Sequence, residues 1–273
     1  MKSIRRVKTV CKIFIEIPLT WGNHLSELLE AIRIQTYQDY EISVATSLPN
    51  AEHKDLLSSY GAKFINSGPN LLEKRYLAHS ISKGDFSLLL DETRIPKQNL
   101  LQRLSDSKSD LVVINEIDIG DTFWVKMANL DKINGIECNE INMSNGFVLP
   151  RYLKFDMVSK AFQTIKQNIS DEIFKSVLME DHQLISFEVS KLASSISILR
   201  GNYIKHYGDK NLVSIVKKYY RYGKFHRILR NTVYEDILSP KNRIRKICTG
   251  NRGKLYFFYL ARSIPFLIGY YLL

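Results

Sequence analysis

Apolar residues in the first 115 positions recur with two alternating periods. Short aliphatic or β-branched runs at 10–17, 40–46, 62–65, 85–90 and 110–115 read as strands. Between them, spacing of i, i+3, i+4 reads as helices over 23–35, 52–60, 70–82 and 98–104. In 23–35 the stripe is Leu25, Leu28, Leu29 and Ile32, with Asn23 as the expected N-cap. Gly61 ends the second helix. Strands separated by single helices predict parallel pairing through right-handed crossovers. The expected class is therefore α/β, a mostly parallel open sheet flanked by helices. Beyond residue 115 the pattern weakens. Residues 118–143 show no clear period, 145–150 reads as a strand, and 156–168, 171–179 and 179–192 read as helices. One or two basic helices follow over 209–230, and 255–273 is almost wholly apolar.

Open parallel sheets bind ligands at the carboxyl ends of their strands. The run Leu88-Leu89-Leu90 leads into Asp91, Glu92 and Thr93 at such an end. Strand alternation puts Asp91 and Thr93 on one side and Glu92 on the other. A carboxylate and a hydroxyl are a thin donor set for Mg2+ or Mn2+, ions that complete their shells with water and substrate phosphate. The same aspartate is equally a turn or helix-capping residue. Glu180-Asp181 precedes the stripe Leu184, Phe187 and Leu192, so this acidic pair reads either as a general base or as a helix cap. His206 stands alone at the edge of the basic region, where a histidine is more often structural than a ligand.

Charge divides the 273-residue chain unevenly. Residues 201–273 hold 15 Lys and Arg against 3 Asp and Glu, whereas residues 1–200 hold 24 against 25. The net +11 therefore belongs to the C-terminal quarter, which points to an anionic partner or to a solvated basic face. Cys11, Cys138 and Cys248 are far apart and follow no metal-ligand spacing, so reduced thiols and a cytoplasmic location are expected. The basic residues 1–10 lead into a segment broken by Lys12 and Glu16, unlike a signal peptide.

Four segments in order give the chain a resemblance to the family 2 glycosyltransferases of GT-A fold. They are "IFIEIPLTWGNHLSELLEAIRIQTYQDYEISV" (13–44), "GAKFINSGPNLLEKRYLAHSISKGDFSLLLDET" (61–93), "VLMEDHQL" (177–184) and "HYGDKNLVSIVKKYYRYGK" (206–224). The resemblance covers most of 10–230. It implies inverting transfer of a sugar from a nucleotide-sugar donor to an acceptor hydroxyl, a glycan or a lipid-linked acceptor. It further implies that Pro18, Leu19 and Thr20 line the nucleotide pocket and that Arg75 contacts the donor diphosphate. Asp91, with Thr93, would hold Mg2+ or Mn2+, and His206 would be a further metal or phosphate contact. Asp181, beside Glu180, would take the acceptor proton, and Arg221 and Tyr222 would close over the donor. Three departures stand out: Thr93 replaces the second Asp of Asp-x-Asp, Lys74-Arg75-Tyr76 replaces Ala-Arg-Asn, and Ala45-Thr46-Ser47 lacks the acid expected after the second strand.

The resemblance divides the chain into a GT-A-like nucleotide-sugar domain, 1–205, and a basic helical region, 206–273. The apolar stretch 255–273 has about the length of a membrane span, but Arg262 and Pro265 interrupt it. Preceded by the basic run 241–254, it reads as an interfacial anchor on the inner face of the membrane or as a helix packed on the domain. Two alternatives remain: a catalytically silent GT-A-like module that binds sugar or membrane, and a nucleic-acid-binding protein using 217–230. The second lacks any helix-turn-helix, zinc-finger or RNP signature, so no nucleic acid is expected.

Overall fold

The computed structural model describes residues 11–47, 51–138, 141, 143, 148–237, 246–248 and 250–272. Eight strands form one sheet in the order β3-β2-β1-β4-β7-β6-β8-β5. They are β1 (Ile13–Leu19), β2 (Tyr40–Thr46), β3 (Lys63–Asn66), β4 (Phe86–Leu89), β5 (Arg94–Pro96), β6 (Leu111–Asp118), β7 (Tyr152–Lys154) and β8 (Ile196–His206). The pairs β1–β2, β2–β3, β1–β4 and β6–β8 are parallel. β7 runs against β4 and β6, and β5 against β8. The expected α/β sheet is present, mostly parallel with two reversed strands.

Period-2 alternation explains the apolar run that opens on Ser87. Leu88 and Leu90 pack with Ile13, Ile15 and Ile17 against α1 (Leu25–Arg33) and α4 (Leu100–Ser105). Leu89 faces the opposite core, formed with α6 (Phe155–Asn168), α7 (Asp171–Ser176) and α8 (Asp181–Ser190). A strand covered on both faces is apolar throughout. Two more helices, α2 (Ala51–Ser59) and α3 (Leu71–Ser80), complete the first half. β1 is followed by a crossover to β2 on one side, whereas β4 joins its other side. The switch point of the sheet thus lies between the carboxyl ends of β1 and β4.

Several expectations need correction. α1 is capped at His24, not Asn23. The patternless stretch holds the end of β6 and a long helix, α5 (Phe123–Cys138). Its buried side includes Asp131, Asn134 and Gly135, which erases the apolar period. In the expected strand 145–150, residues 145–147 lie outside the described residues and 148–150 are not a strand. The eleven-residue β8 has no counterpart among the strands expected from the sequence. Gly201 (φ +119°) and Asn202 (φ +53°) break its alternation. Cys11, Cys138 and Cys248 are free thiols.

The basic region forms α9 (Leu212–His226) and α10 (Arg252–Tyr271). Much of the basic run 241–254 lies outside the described residues. α10 packs on α9 and α5, with Tyr259 and Arg262 donating to Asp131 at 2.9 and 2.8 Å. Its outer face leaves Phe257, Leu260, Ile264 and Tyr271 exposed. Among the described residues no helix is long and apolar enough to cross a membrane.

The α9–α10 crossing depends on two glycines. A Cβ on Gly223 would lie 2.0 Å from the Phe266 carbonyl oxygen, and one on Gly269 would lie 2.2 Å from that of Tyr220. Gly269→Ala is expected to force the helices apart and cost about 1–3 kcal/mol. Urea unfolding measures the change, and an unaltered midpoint would show that the helices do not cross so closely.

Candidate active site

Arg75 ties the switch point together. α3 sends its guanidinium between β1 and the end of β4, where Nη1 donates to the carbonyls of Glu16 (3.1 Å), midway along β1, and Leu90 (2.7 Å). Its Nε donates to Asp181 Oδ2 at 3.0 Å, and both side chains are almost fully buried. Asp181 opens α8. Burial pushes its carboxyl above the usual range, opposed by Arg75 and reinforced by the charge of Asp91. Two acids remote in sequence are thus brought within electrostatic reach of each other. Neighbouring Glu180 is also buried, 3.7 Å from His226 of α9.

Asp91 begins a tight turn and not a further strand residue. Its Oδ1 accepts from the Thr93 amide (3.1 Å) and hydroxyl (2.5 Å), and its Oδ2 accepts from Arg94. Asp91 and Thr93 do lie together as expected, joined by the turn. Arg94 then reaches Glu116 Oε2 at 2.9 Å. Glu116 also meets Lys132 (3.2 Å) and Arg151 (3.4 Å). Lys132 continues to Asp118 at 2.6 Å, and His206 Nδ1 donates to the same carboxylate oxygen.

Strand register builds this network. Arg94 and Asp118 both pair with His206 across β8, and an irregularity between Ile114 and Glu116 re-aims the end of β6. Burial would raise Asp91 and Glu116, but the neighbouring arginines outweigh it and hold both well below the usual range. Burial likewise opposes the pull of His206 and Lys132 on Asp118, whose pKa falls to about 2. Burial and Arg94 lower His206, favouring the neutral ring. Burial and Arg94 lower Arg151 to about 10.

A cavity of about 180 Å³ opens beside this network, between Glu116, Lys132, Arg151 and His182 on one side and Ile114 and Leu149 on the other. Burial, then Arg151, keeps His182 well below its usual pKa. A neutral His182 donates from Nε2 to the Pro150 carbonyl at 2.6 Å, leaving Nδ1 as an acceptor.

The remaining expected contacts divide. Pro18 and Leu19 are buried within β1, and Thr20 is the one of the three that reaches the surface. Glu92, expected to point away, closes the next loop: its carboxylate accepts from the amides of Trp21 (2.9 Å) and Gly22 (2.5 Å). Trp21 is left 65% exposed beside Thr20. Lys74 Nζ holds the Leu19 carbonyl at 2.6 Å, and burial lowers its pKa to about 8. Arg221 is exposed on α9. Burial, with a contribution from Glu180, raises Tyr222. Arg94, Glu116, Asp118, Lys132 and Arg151 were not foreseen. The alternation of Glu116 and Asp118 at the end of an apolar strand was a usable signal, the same one that drew notice to Asp91.

Among the described residues no group of three or more His, Cys, Asp or Glu is placed to hold a metal ion. The expected set does not fit one as it stands, because Asp91 is engaged by Thr93 and Arg94, and His206 by Asp118. At an effective dielectric constant near 20, a divalent ion about 4 Å from a guanidinium is repelled by roughly 8 kcal/mol.

No family model matches the chain, and no curated protein matches its sequence. Solved structures do match. S. aureus TarS 1–349 aligns with a TM-score of 0.54 at 13% identity, over 95% of this chain and 81% of that one. Its complex with UDP-GlcNAc gives 0.52 at 15% identity, over 92% and 81%. Mannosyltransferase PcManGT from Pyrobaculum calidifontis, in complex with GDP-Man and Mn2+, gives 0.53 at 10% identity, over 96% and 74%. What the chain shares with them at such identities is the fold, the GT-A fold of glycosyltransferases.

Asp118 makes a pH prediction. Its folded pKa of about 2 lies below the ordinary 3.8, so it stabilises the fold fully above pH 3.8 and loses that contribution as pH falls through 2. The shift corresponds to about 2 kcal/mol. Denaturant unfolding followed between these pH values is expected to show a shallower acid-side loss for Asp118→Asn than for the wild type. Equal slopes would remove Asp118 from the account.

Proposed function

We propose that the chain is an inverting glycosyltransferase, with Asp181 as the general base that takes the proton of an acceptor hydroxyl as the sugar leaves a nucleotide diphosphate. The observation that carries this reading is the placement of Asp181: at the sheet's switch point, fixed by Arg75, with its carboxyl raised by burial. A raised pKa suits a base working near neutrality. In-line inversion needs that base on one side of the anomeric carbon and positive charge around the diphosphate on the other. The Asp91 corner, with Arg94 and Arg151 next to it, suits the second role.

Thr20 and the exposed Trp21 suit a nucleotide docked on the β1–α1 loop, with the indole offering a flat face to its base. Arg75, with its Nε and Nη1 committed inside the protein, acts in this reading as a positioning residue for Asp181 and not as a diphosphate ligand. Glu180 sits behind the base, towards α9. The expected Mg2+ or Mn2+ is not carried into the reading, since the donor set at Asp91 does not fit it.

The outer face of α10 favours a glycan or lipid-linked acceptor presented at a membrane. Phe257, Leu260, Ile264 and Tyr271 are exposed there, while Lys217, Arg221, Lys224, Arg252 and Lys254 are exposed on the same helix pair. Exposed hydrocarbon flanked by cations matches an anionic lipid surface and peripheral attachment.

Three experiments test these roles. A thermal-shift screen against UDP-, GDP- and dTDP-sugars identifies the donor, because a ligand that binds only the native state raises Tm. With that donor, Asp181→Asn is expected to lower transfer by at least about a hundredfold while nucleotide binding stays intact. Wild-type turnover by the variant would end the proposal. In sedimentation with phosphatidylserine vesicles, the wild type is expected to pellet and a Phe257→Glu, Leu260→Glu double variant to stay in solution. Equal partitioning would reject the membrane face.

A further inference from the structure

A departing nucleoside diphosphate needs positive charge concentrated beside the bond that breaks. In this cleft that charge already stands on side chains. Arg94 spans Asp91 and Glu116, Arg151 reaches Glu116 and the Leu89 carbonyl, and Lys132 spans Glu116 and Asp118. Asp91 is the acid from which a metal site would have to start, yet the guanidinium of Arg94 already engages one of its oxygens and Thr93 the other.

Given the glycosyltransferase reading above, we infer that Arg94, Arg151 and Lys132 neutralise the leaving diphosphate themselves and that transfer proceeds without a divalent ion. Guanidinium groups suit the task because their planar forks match phosphate oxygens two at a time. The three carboxylates then serve as holders for the cations, aiming long flexible side chains that would otherwise lose entropy on binding. Before the donor arrives three acids offset three cations, which lowers the cost of burying them, so the diphosphate meets aimed N–H donors and not a net positive charge. Arg151 and Lys132 both line the cavity, which gives an incoming phosphate access to them.

The chemistry balances without an added cofactor. The acceptor oxygen forms a bond to the anomeric carbon as its proton passes to Asp181. The bond from that carbon to the diphosphate oxygen breaks, and its electron pair leaves with the diphosphate, where the cations meet the new negative charge.

The test measures binding of UDP, GDP and dTDP to the full chain by calorimetry, in excess EDTA and in excess Mn2+. The expected result is binding of one of them in EDTA, with Kd within about twofold of that in Mn2+. In EDTA, Arg94→Gln is expected to weaken this binding by at least about tenfold, the effect of losing a charge-assisted contact. Should that variant fail to fold, Lys132→Gln is expected to act in the same direction. Binding that vanishes in EDTA and returns with Mn2+ overturns the inference while leaving the glycosyltransferase reading intact. Unchanged affinity in the folded variant also overturns it. Absence of nucleotide binding in both media overturns the donor reading itself, and this inference with it.

Discussion

The arrangement of this protein rests on one buried guanidinium. A twisted parallel sheet leaves backbone carbonyls pointing into the gap where its winding reverses, and buried carbonyls need donors. Arg75 donates to the Leu90 carbonyl just past β4 and to the Glu16 carbonyl midway along β1, which the Leu90 amide also reaches, and extends to Asp181. The same side chain therefore ties β1 to the chain leaving β4 and fixes the orientation of an acid from the second half of the chain. A buried ion pair is a weak source of net stability, since desolvation consumes most of its Coulomb gain. Its value here is positional: Asp181 has one orientation in which its charge is compensated.

The second constraint is electrostatic balance at the neighbouring corner. Acids and cations alternate from Asp91 through Arg94, Glu116 and Lys132 to Asp118, with Arg151 attached at Glu116. Each member lowers the cost of burying the next, so the acids stay ionised despite their partial removal from water. His206, whose ring is held neutral, closes the end of the chain by donating to Asp118. The outcome is a charged wall to the cleft whose parts come from β5, β6, β8 and α5 and from the chain at Asp91 and Arg151.

Local patterns carried the first half of the fold into view. β1, β2, β4 and α1 bury most of their apolar residues, so their periods are regular, and across β1 to β4 the boundaries read from sequence fall within a few residues of the observed ones. α5 hides a polar face, with Asp131 and Asn134 buried, and thus leaves no stripe to find. β8 is half exposed and kinked at Gly201 and Asn202, which breaks the alternation that marks a strand. At the site, Asp91 and Asp181 were legible because each interrupts an apolar run. Arg94, Lys132 and Arg151 were not, since a surface-like lysine or arginine looks the same in sequence whether it faces water or a carboxylate. Only the register of β5, β6 and β8 brings them together.

Asp91 and Glu92 are consecutive, yet they serve opposite rims of the cleft: one joins the charged wall, the other grips the amides of Trp21 and Gly22. A turn this short has no slack to let one carboxylate move while its neighbour stays. Twisting it to free the first would strip the second from the tryptophan loop, so the positions of the two rims are coupled.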